Sequence, residues 1–268
     1  MTPRRLLDVG GTFVKCDDGR MVPIPSDGTR EAIAAALREA VGPPDGLREL
    51  GIAIPGPFDF RKGIFRMKHK FAAVYGASFH ELAAIPEDVD VRFLHDVNAP
   101  LLGSLGQYPG NTVLVTLGTG LGFGCAIDNA VQMNDTGGPA CSLYNRPYGD
   151  GILEDAVSAR GIRSAYVRLT GDTEASPRTI AQRAYDGEKA ALQVFSDLGA
   201  ILGEALLPLL EEFRTEHLLF GGQISKSLSL FERPLRGALE GLPRLRTVGQ
   251  VPDGAVFAGL ATLFTPRT

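Results

Sequence analysis

The strongest constraint on this chain is a design that occurs twice. Arg5-Leu6-Leu7-Asp8-Val9 is a short run that ends in Gly10-Gly11-Thr12, and Phe13-Val14-Lys15-Cys16 follows at once. Thr112-Val113-Leu114-Val115-Thr116-Leu117 ends in Gly118-Thr119-Gly120-Leu121-Gly122-Phe123-Gly124, before Cys125-Ala126-Ile127. Short apolar, β-branched runs stopped by glycine read as buried strands. Each segment therefore reads strand, glycine turn, strand. The repeat is one of architecture and not of residues, and it implies two related halves. Gly (33) and Pro (18) are plentiful among the 268 residues and do not gather into a linker.

Between and after these segments, strands alternate with helices. A helix is expected from Thr29 to Val41, stopped by Gly42-Pro43-Pro44, and strands at Leu47–Ile54 and Val91–Leu94. Phe79–Ile85 and Ala99–Leu105 read as short helices, with Pro100 tolerated in a first turn. In the second half, Ile152–Leu169 reads as one helix and residues 129 to 151 as loop. Ser176 opens a helical region that runs to about Phe213, with a break near Gly187. His217–Phe220 and Leu245–Val248 read as strands, and Ser225–Leu239 and Asp253–Phe264 as helices. The alternation favours an α/β chain.

Lys+Arg (27) and Asp+Glu (31) leave a net charge of -4, without the basic stripe of a general nucleic-acid binder. Phosphate remains possible, because backbone amides at a glycine turn hold it without a basic surface. No run of 18 continuous apolar residues marks a membrane span. Cys16, Cys125 and Cys141 are too dispersed for a disulfide framework or a CxxC metal pair, so a reducing cytoplasm is the expected setting.

Several residues carry chemistry in this pattern. Asp8 stands where a carboxylate can hold hydrated Mg²⁺, and Thr12 can donate a hydroxyl hydrogen bond; the bland alternative is an ordinary hairpin. Gly118, Thr119 and Gly120 pose the same choice, with neither a GxGxxG nor a Walker lysine. Two such turns could clamp one triphosphate, which favours the phosphate reading for both. Asp96, after a strand and within His95-Asp96-Val97-Asn98, suits a base that accepts a hydroxyl proton, or caps the helix that follows. Glu154 lies in a first helical turn, to bond sugar hydroxyls or to offset the helix dipole. Gly221, Gly222 and Gln223 precede a helix start, where a turn passes beneath an adenosine or relaxes a corner. Lys68-His69-Lys70 is either a solvated loop or a substrate lip, and neither His69 nor His95 has a neighbouring ligand set for metal.

Taken in order, these pieces resemble the ROK family of sugar kinases across almost the whole chain. Leu7-Asp8-Val9-Gly10-Gly11-Thr12 resembles the first phosphate motif, and Gly51-Ile52-Ala53-Ile54-Pro55-Gly56-Pro57 the strand and PGP turn. His95-Asp96-Val97-Asn98-Ala99 is similar to the catalytic NDxNA segment, and Thr116–Gly122 to the second phosphate motif. Gly151-Ile152-Leu153-Glu154 is like the GxLE helix, and Phe220–Ser225 like the adenosine-side glycine turn. The resemblance implies an actin-like ATPase (ribonuclease H-like) α/β fold of two domains around a central cleft. The expected domains are 1–109, 110–250 and a closing helix in 251–268 that packs back on the first. It implies ATP and Mg²⁺ as cofactors, a hexose-like sugar as acceptor, and a homodimer, with no nucleic-acid or membrane partner. Asp96 would be the base. Asp8, Gly10, Gly11, Thr12, Lys15, Gly118, Thr119, Gly120, Gly221, Gly222 and Gln223 would bind nucleotide, with Asp8 on Mg²⁺ through water. Pro55, Gly56, His69, His95, Asp96 and Glu154 would bind sugar.

The chain departs from that pattern at three places. His95 replaces the first Asn of NDxN, Gly137-Gly138-Pro139-Ala140-Cys141-Ser142-Leu143 stands where the family has GExGH, and the zinc cysteines are missing. A polyphosphate-dependent kinase and a catalytically silent sugar-binding or regulatory protein are the alternatives. Because the first phosphate turn begins at Gly10, the helix-turn-helix that precedes the sugar domain in the family's repressors is not expected.

Overall fold

The computed structural model describes residues 3–265. They form two compact units. The first comprises residues 3–107, 131–140 and 252–265; the second comprises 108–130 and 141–251. Residues 1–2 and 266–268 of the expected end segments lie outside the described residues.

The first unit is built on a five-stranded sheet. Its order is Met21–Pro23, Phe13–Cys16, Arg4–Val9, Glu49–Ile54, Asp90–His95. The first three strands are antiparallel neighbours, and the last two run parallel to Arg4–Val9. Leu7, Val9, Leu50, Ile52 and Ile54 are fully buried, as expected of strands covered on both faces. Helix Arg30–Val41 covers one face through Ile33, Leu37 and Ala40; Thr29 caps it by accepting from the Ala32 N–H. Gly42, with φ 67°, ends it.

The opposite face carries Ala255–Thr262, the last helix, crossed with helix Asn98–Ser104. The two backbones meet at Gly103 and Gly259. A Cβ on Gly103 would lie 1.9 Å from the Ala255 carbonyl oxygen, and one on Gly259 would lie 1.9 Å from that of Ala99. No side chain fits there, so the crossing exists only with glycine at both positions. The Arg4 and Arg92 guanidinium groups each lie 5.0 Å from the Phe264 ring centroid, which fixes the end of the segment.

The second unit repeats the strand order. Leu121–Ile127 is antiparallel to Thr112–Leu117, which is parallel to His217–Gly221, itself parallel to Thr247–Gln250. In both units the strand before the glycine turn therefore lies between its hairpin partner and a parallel strand. Helix Lys189–Glu212 is long and apolar enough, by length and composition, to cross a membrane. Its Val194, Phe195, Leu198, Leu202 and Leu206 instead lie in this unit's core.

Four local expectations change. The glycine-rich stretch after Leu117 is a turn only at 118–120, because Gly122 and Gly124 already pair with Thr116 and Leu114. The expected helix Ile152–Leu169 is two helices, Leu153–Val157 and Ala159–Thr170, broken at an extended Ser158. Residues 129 to 151 hold short strands, Ala130–Val131, Pro147–Tyr148 and Gly151–Ile152. Residues 131–140, expected with the second domain, belong to the first unit: the Phe60 N–H donates to the Thr136 carbonyl at 3.0 Å, and Gly137 lies against Phe60.

Gly103→Ala or Gly259→Ala forces the two helices apart. We expect a loss of about 1–3 kcal/mol for either variant, read as a lowered urea midpoint, with the pair of substitutions costing less than the sum of the single ones.

Candidate active site

The parallel register brings three strand ends of the first unit level. Asp8 pairs with Ala53, and Ile54 with His95. The Asp96 N–H then donates to the Ile54 carbonyl at 3.1 Å. Asp8, the Pro55-Gly56 turn, His95 and Asp96 thus share the carboxyl edge of the sheet, where α/β sheets place ligands.

The first glycine turn is closed by the Gly10 N–H, which donates to the Phe13 carbonyl at 2.9 Å. A Cβ on Gly10 would lie 3.0 Å from that oxygen. Thr12 is exposed. Lys15 sits across the hairpin, its Nζ 3.1 Å from Asp8 Oδ2. Burial pushes the Asp8 carboxyl above its ordinary range; Lys15 pulls against this without cancelling it, and the charge of Asp96 adds to the rise.

Asp96 is perturbed in the opposite sense. Burial pushes its carboxyl up, but the hydrogen bond and charge of His95 outweigh this, together with the Lys70 ammonium and the Val97 N–H. The net effect holds Asp96 below the ordinary carboxylate range, so it is ionised at neutral pH. His95 Nδ1 lies 2.8 Å from Asp96 Oδ1 and 3.2 Å from the Val97 nitrogen. With a proton on Nδ1 the ring donates to Asp96; without one it accepts from Val97. Gly56 leaves room for this ring, since a Cβ there would lie 3.2 Å from Nε2, and Phe60 packs against it at 5.6 Å.

Two residues enter the sequence reading only as members of longer segments, Lys70 in Lys68-His69-Lys70 and Asn98 in His95–Ala99. Lys70 lies along the glycine turn, its Nζ 3.5 Å from where a Gly11 Cβ would stand. Asn98 is fully buried, and neither of its amide atoms has a partner among the described residues. His69, the neighbour of Lys70, is exposed.

The second unit holds its own glycine cluster. The Gly118 N–H donates to the Gly120 carbonyl at 3.0 Å, and the Ala159 N–H donates to the Gly118 carbonyl at 2.9 Å. That second bond explains the helix break: Ala159 opens a new helix with its amide on the turn. Glu154, expected at sugar, has one oxygen committed elsewhere: Oε2 accepts from the Leu121 N–H at 2.9 Å and would lie 2.7 Å from a Gly120 Cβ. Gly222, with φ 85°, passes so close to Leu117 that a Cβ would lie 2.2 Å from its carbonyl oxygen. Ser225 Oγ donates to the Gly222 carbonyl at 2.7 Å. Beside this turn is a cavity of about 450 Å³ lined by Arg178, Gln182, Tyr185, Phe195, Gln223 and Ile224.

Compared with known proteins, residues 7–141 match the model of the ROK family. The chain belongs to the ROK family. The matched span contains the Asp8 turn, Asp96 and the Gly118–Gly120 turn, and ends before Glu154 and Gly221. A glucokinase of Thermotoga maritima is 25% identical over 272 residues, covering 86% of this ROK chain and 84% of its own length. A solved ROK glucokinase of Streptomyces griseus, in complex with glucose and AMPPNP, superposes with a TM-score of 0.78 at 22% identity, covering 97% of this chain and 98% of that one. An inorganic polyphosphate/ATP-glucomannokinase of Arthrobacter gives a TM-score of 0.65 at 19% identity, over 98% of each chain. The fold is the actin-like ATPase fold of the ROK sugar kinases.

Two outcomes follow from these geometries. A carboxyl with a raised pKa costs stability once pH exceeds its unfolded value, so Asp8→Asn should raise the urea midpoint at pH 7. That gain should fade as pH falls through the ordinary carboxylate range, where both states are neutral. Glu154→Ala leaves the Leu121 N–H without its acceptor, and hydrogen exchange at Leu121 should accelerate at least about tenfold; Glu154→Gln keeps an acceptor oxygen and should exchange at the original rate.

Proposed function

We propose that this ROK chain is a sugar kinase that transfers the γ-phosphoryl group of ATP to a hydroxyl of a hexose or related sugar. The observation that carries the reading is Asp96: a carboxylate held ionised by His95, on the sheet edge that also carries the first glycine turn. A base for phosphoryl transfer need not be strong, because the proton leaves as the new bond forms.

In this reading the sugar hydroxyl oxygen attacks the γ-phosphorus and its proton passes to the Asp96 carboxylate. A bond forms between that oxygen and phosphorus, the bond from phosphorus to the β,γ-bridging oxygen breaks, and ADP leaves. His95, Pro55, Gly56 and His69 orient the sugar, and the amides of Gly10–Thr12 and Gly118–Gly120 hold phosphate oxygens. Glu154 Oε1, which faces the Arg160 guanidinium at 4.0 Å, is the oxygen not bonded to the Leu121 N–H and would be the one to meet a sugar hydroxyl. Lys15 offsets the charge of Asp8 until phosphate competes for it. Asp8 fits water-mediated Mg²⁺, being a single, mostly buried carboxylate at the turn, and the metal when bound supplies neutralisation of phosphate charge. The cavity beside Gly222 suits a nucleoside: Tyr185, Phe195 and Ile224 offer apolar surface, and Gln182, Gln223 and Arg178 offer polar groups. That cavity supports ATP as donor.

The test is a panel of hexoses, amino sugars and polyols with ATP and Mg²⁺, assayed for ADP and sugar phosphate. Wild-type protein should turn over at least one sugar, and Asp96→Asn should lower kcat by about 10²- to 10⁴-fold. Because Asp96 lies below the ordinary carboxylate range, its acid limb in kcat/KM should fall below that range too. Absence of transfer to every sugar would refute the reading, and full activity in Asp96→Asn would remove Asp96 from the base role.

A further inference from the structure

We infer that Lys70 is a catalytic residue of this chain, the cation that holds the phosphoryl group during transfer. This rests on the kinase reading above and names a group that reading does not use.

Three observations carry the inference. First, Lys70 is aimed at the turn. A Cβ on Gly11 would lie 3.5 Å from its Nζ and 3.6 Å from both Cδ and Cε, so the end of the side chain lies against Gly11 of the first glycine turn. Its neighbours point elsewhere: Lys68 Nζ lies over the Tyr75 ring at 5.5 Å, and His69 is exposed.

Second, the ammonium lacks a partner among the described residues. Among the described residues no carboxylate lies within 4.0 Å of Lys70 Nζ, and no hydrogen bond to it is present. Its charge nevertheless reaches Asp96. The other lysine of the turn, Lys15, is already paired with Asp8. Lys70 therefore faces both the phosphate turn and the base and touches neither carboxylate. An anion set between the turn and Asp96 would meet this ammonium, and a lysine meets phosphate as a point charge.

Third, the lysine is mounted rigidly. The next residue, Phe71, is fully buried with φ 54°, an uncommon backbone state for a bulky side chain. Its N–H donates to the Ser26 carbonyl at 2.7 Å, and its ring packs against Phe65 at 5.5 Å. Close by, the Ile24 N–H donates to the Thr12 carbonyl at 2.9 Å, which ties the segment before Ser26 to the glycine turn. The base of the lysine and the turn are thus held by one hydrogen-bonded frame. A preorganised charge of this kind acts where negative charge gathers in the transition state.

The experiment compares wild type, Lys70→Met, Lys70→Arg and the exposed control Lys62→Met, with ATP, Mg²⁺ and the best sugar of the panel. Lys70→Met should lower kcat at least 100-fold with the sugar KM within about threefold, while Lys62→Met stays at the wild-type rate. Lys70→Arg should recover part of the loss, and ethylammonium should raise the rate of Lys70→Met in proportion to its concentration. The acid limb of kcat/KM should move to higher pH in Lys70→Met, because a cation that favours the Asp96 carboxylate has gone. A Lys70→Met rate within threefold of wild type overturns the inference. So does a loss without amine rescue or movement of the acid limb, which is what a merely structural lysine would give. If wild type itself transfers phosphate to no sugar, the kinase reading fails separately. Binding of inorganic tripolyphosphate then decides on Lys70: at least tenfold weaker binding in Lys70→Met supports it as the phosphate-holding cation, and equal binding overturns it.

Discussion

The site of the first unit depends on parallel register. Arg4–Val9, Glu49–Ile54 and Asp90–His95 lie side by side with Asp8 opposite Ala53 and Ile54 opposite His95. The period of a strand is two residues, so a slip of one in Arg4–Val9 would turn Asp8 to the face that packs on helix Arg30–Val41 and take Leu7 and Val9 out of that core. Both of those are fully buried. The hydrophobic effect that fixes the core therefore also fixes where the carboxylates stand, and no separate device aligns Asp8 with Asp96.

That shared edge sets two carboxylates to different tasks. The charge of Asp96 raises the cost of ionising Asp8, and the two are perturbed in opposite senses, Asp8 above the ordinary range and Asp96 below it. The difference lies in their partners: an exposed lysine for Asp8, and for Asp96 a half-buried imidazole, a second ammonium and a backbone N–H. Opposed perturbation of neighbouring acids is how one site assigns separate roles to like groups. His95, where the family pattern has Asn, keeps a hydrogen-bond donor at the base and brings a ring able to carry positive charge.

The strands and both glycine turns were legible because apolar runs stopped by glycine are local signals, and so were the Asp96 segment and the order of motifs. What escaped was decided by contacts distant in sequence. Nothing near Ser158 announces a helix break, because the acceptor that captures Ala159 is the carbonyl of Gly118. Glycine at 122 and 124 looks like turn, but pairing with Thr116 and Leu114 makes it strand. Glu154 was read as free to meet sugar, and the Leu121 N–H took one of its oxygens. Lys70 stands in a loop that reads equally as solvated or as a substrate lip, since its direction comes from the burial of Phe71 and the bond to Ser26.

The glycine crossing of the last helix has a consequence for how the chain matures. Residues 131–140 and 252–265 complete a unit whose sheet is made of residues 4–95. A nascent chain emerges from its N-terminus, and domains fold as units when their parts are present. The second unit is whole once Val251 has been made, whereas the first still has Leu6, Ala53 and Leu94 without the cover of Leu260. The half of the molecule synthesised first is therefore the half that finishes folding last, and its open sheet face is the surface in need of protection until residues 252–265 have been made.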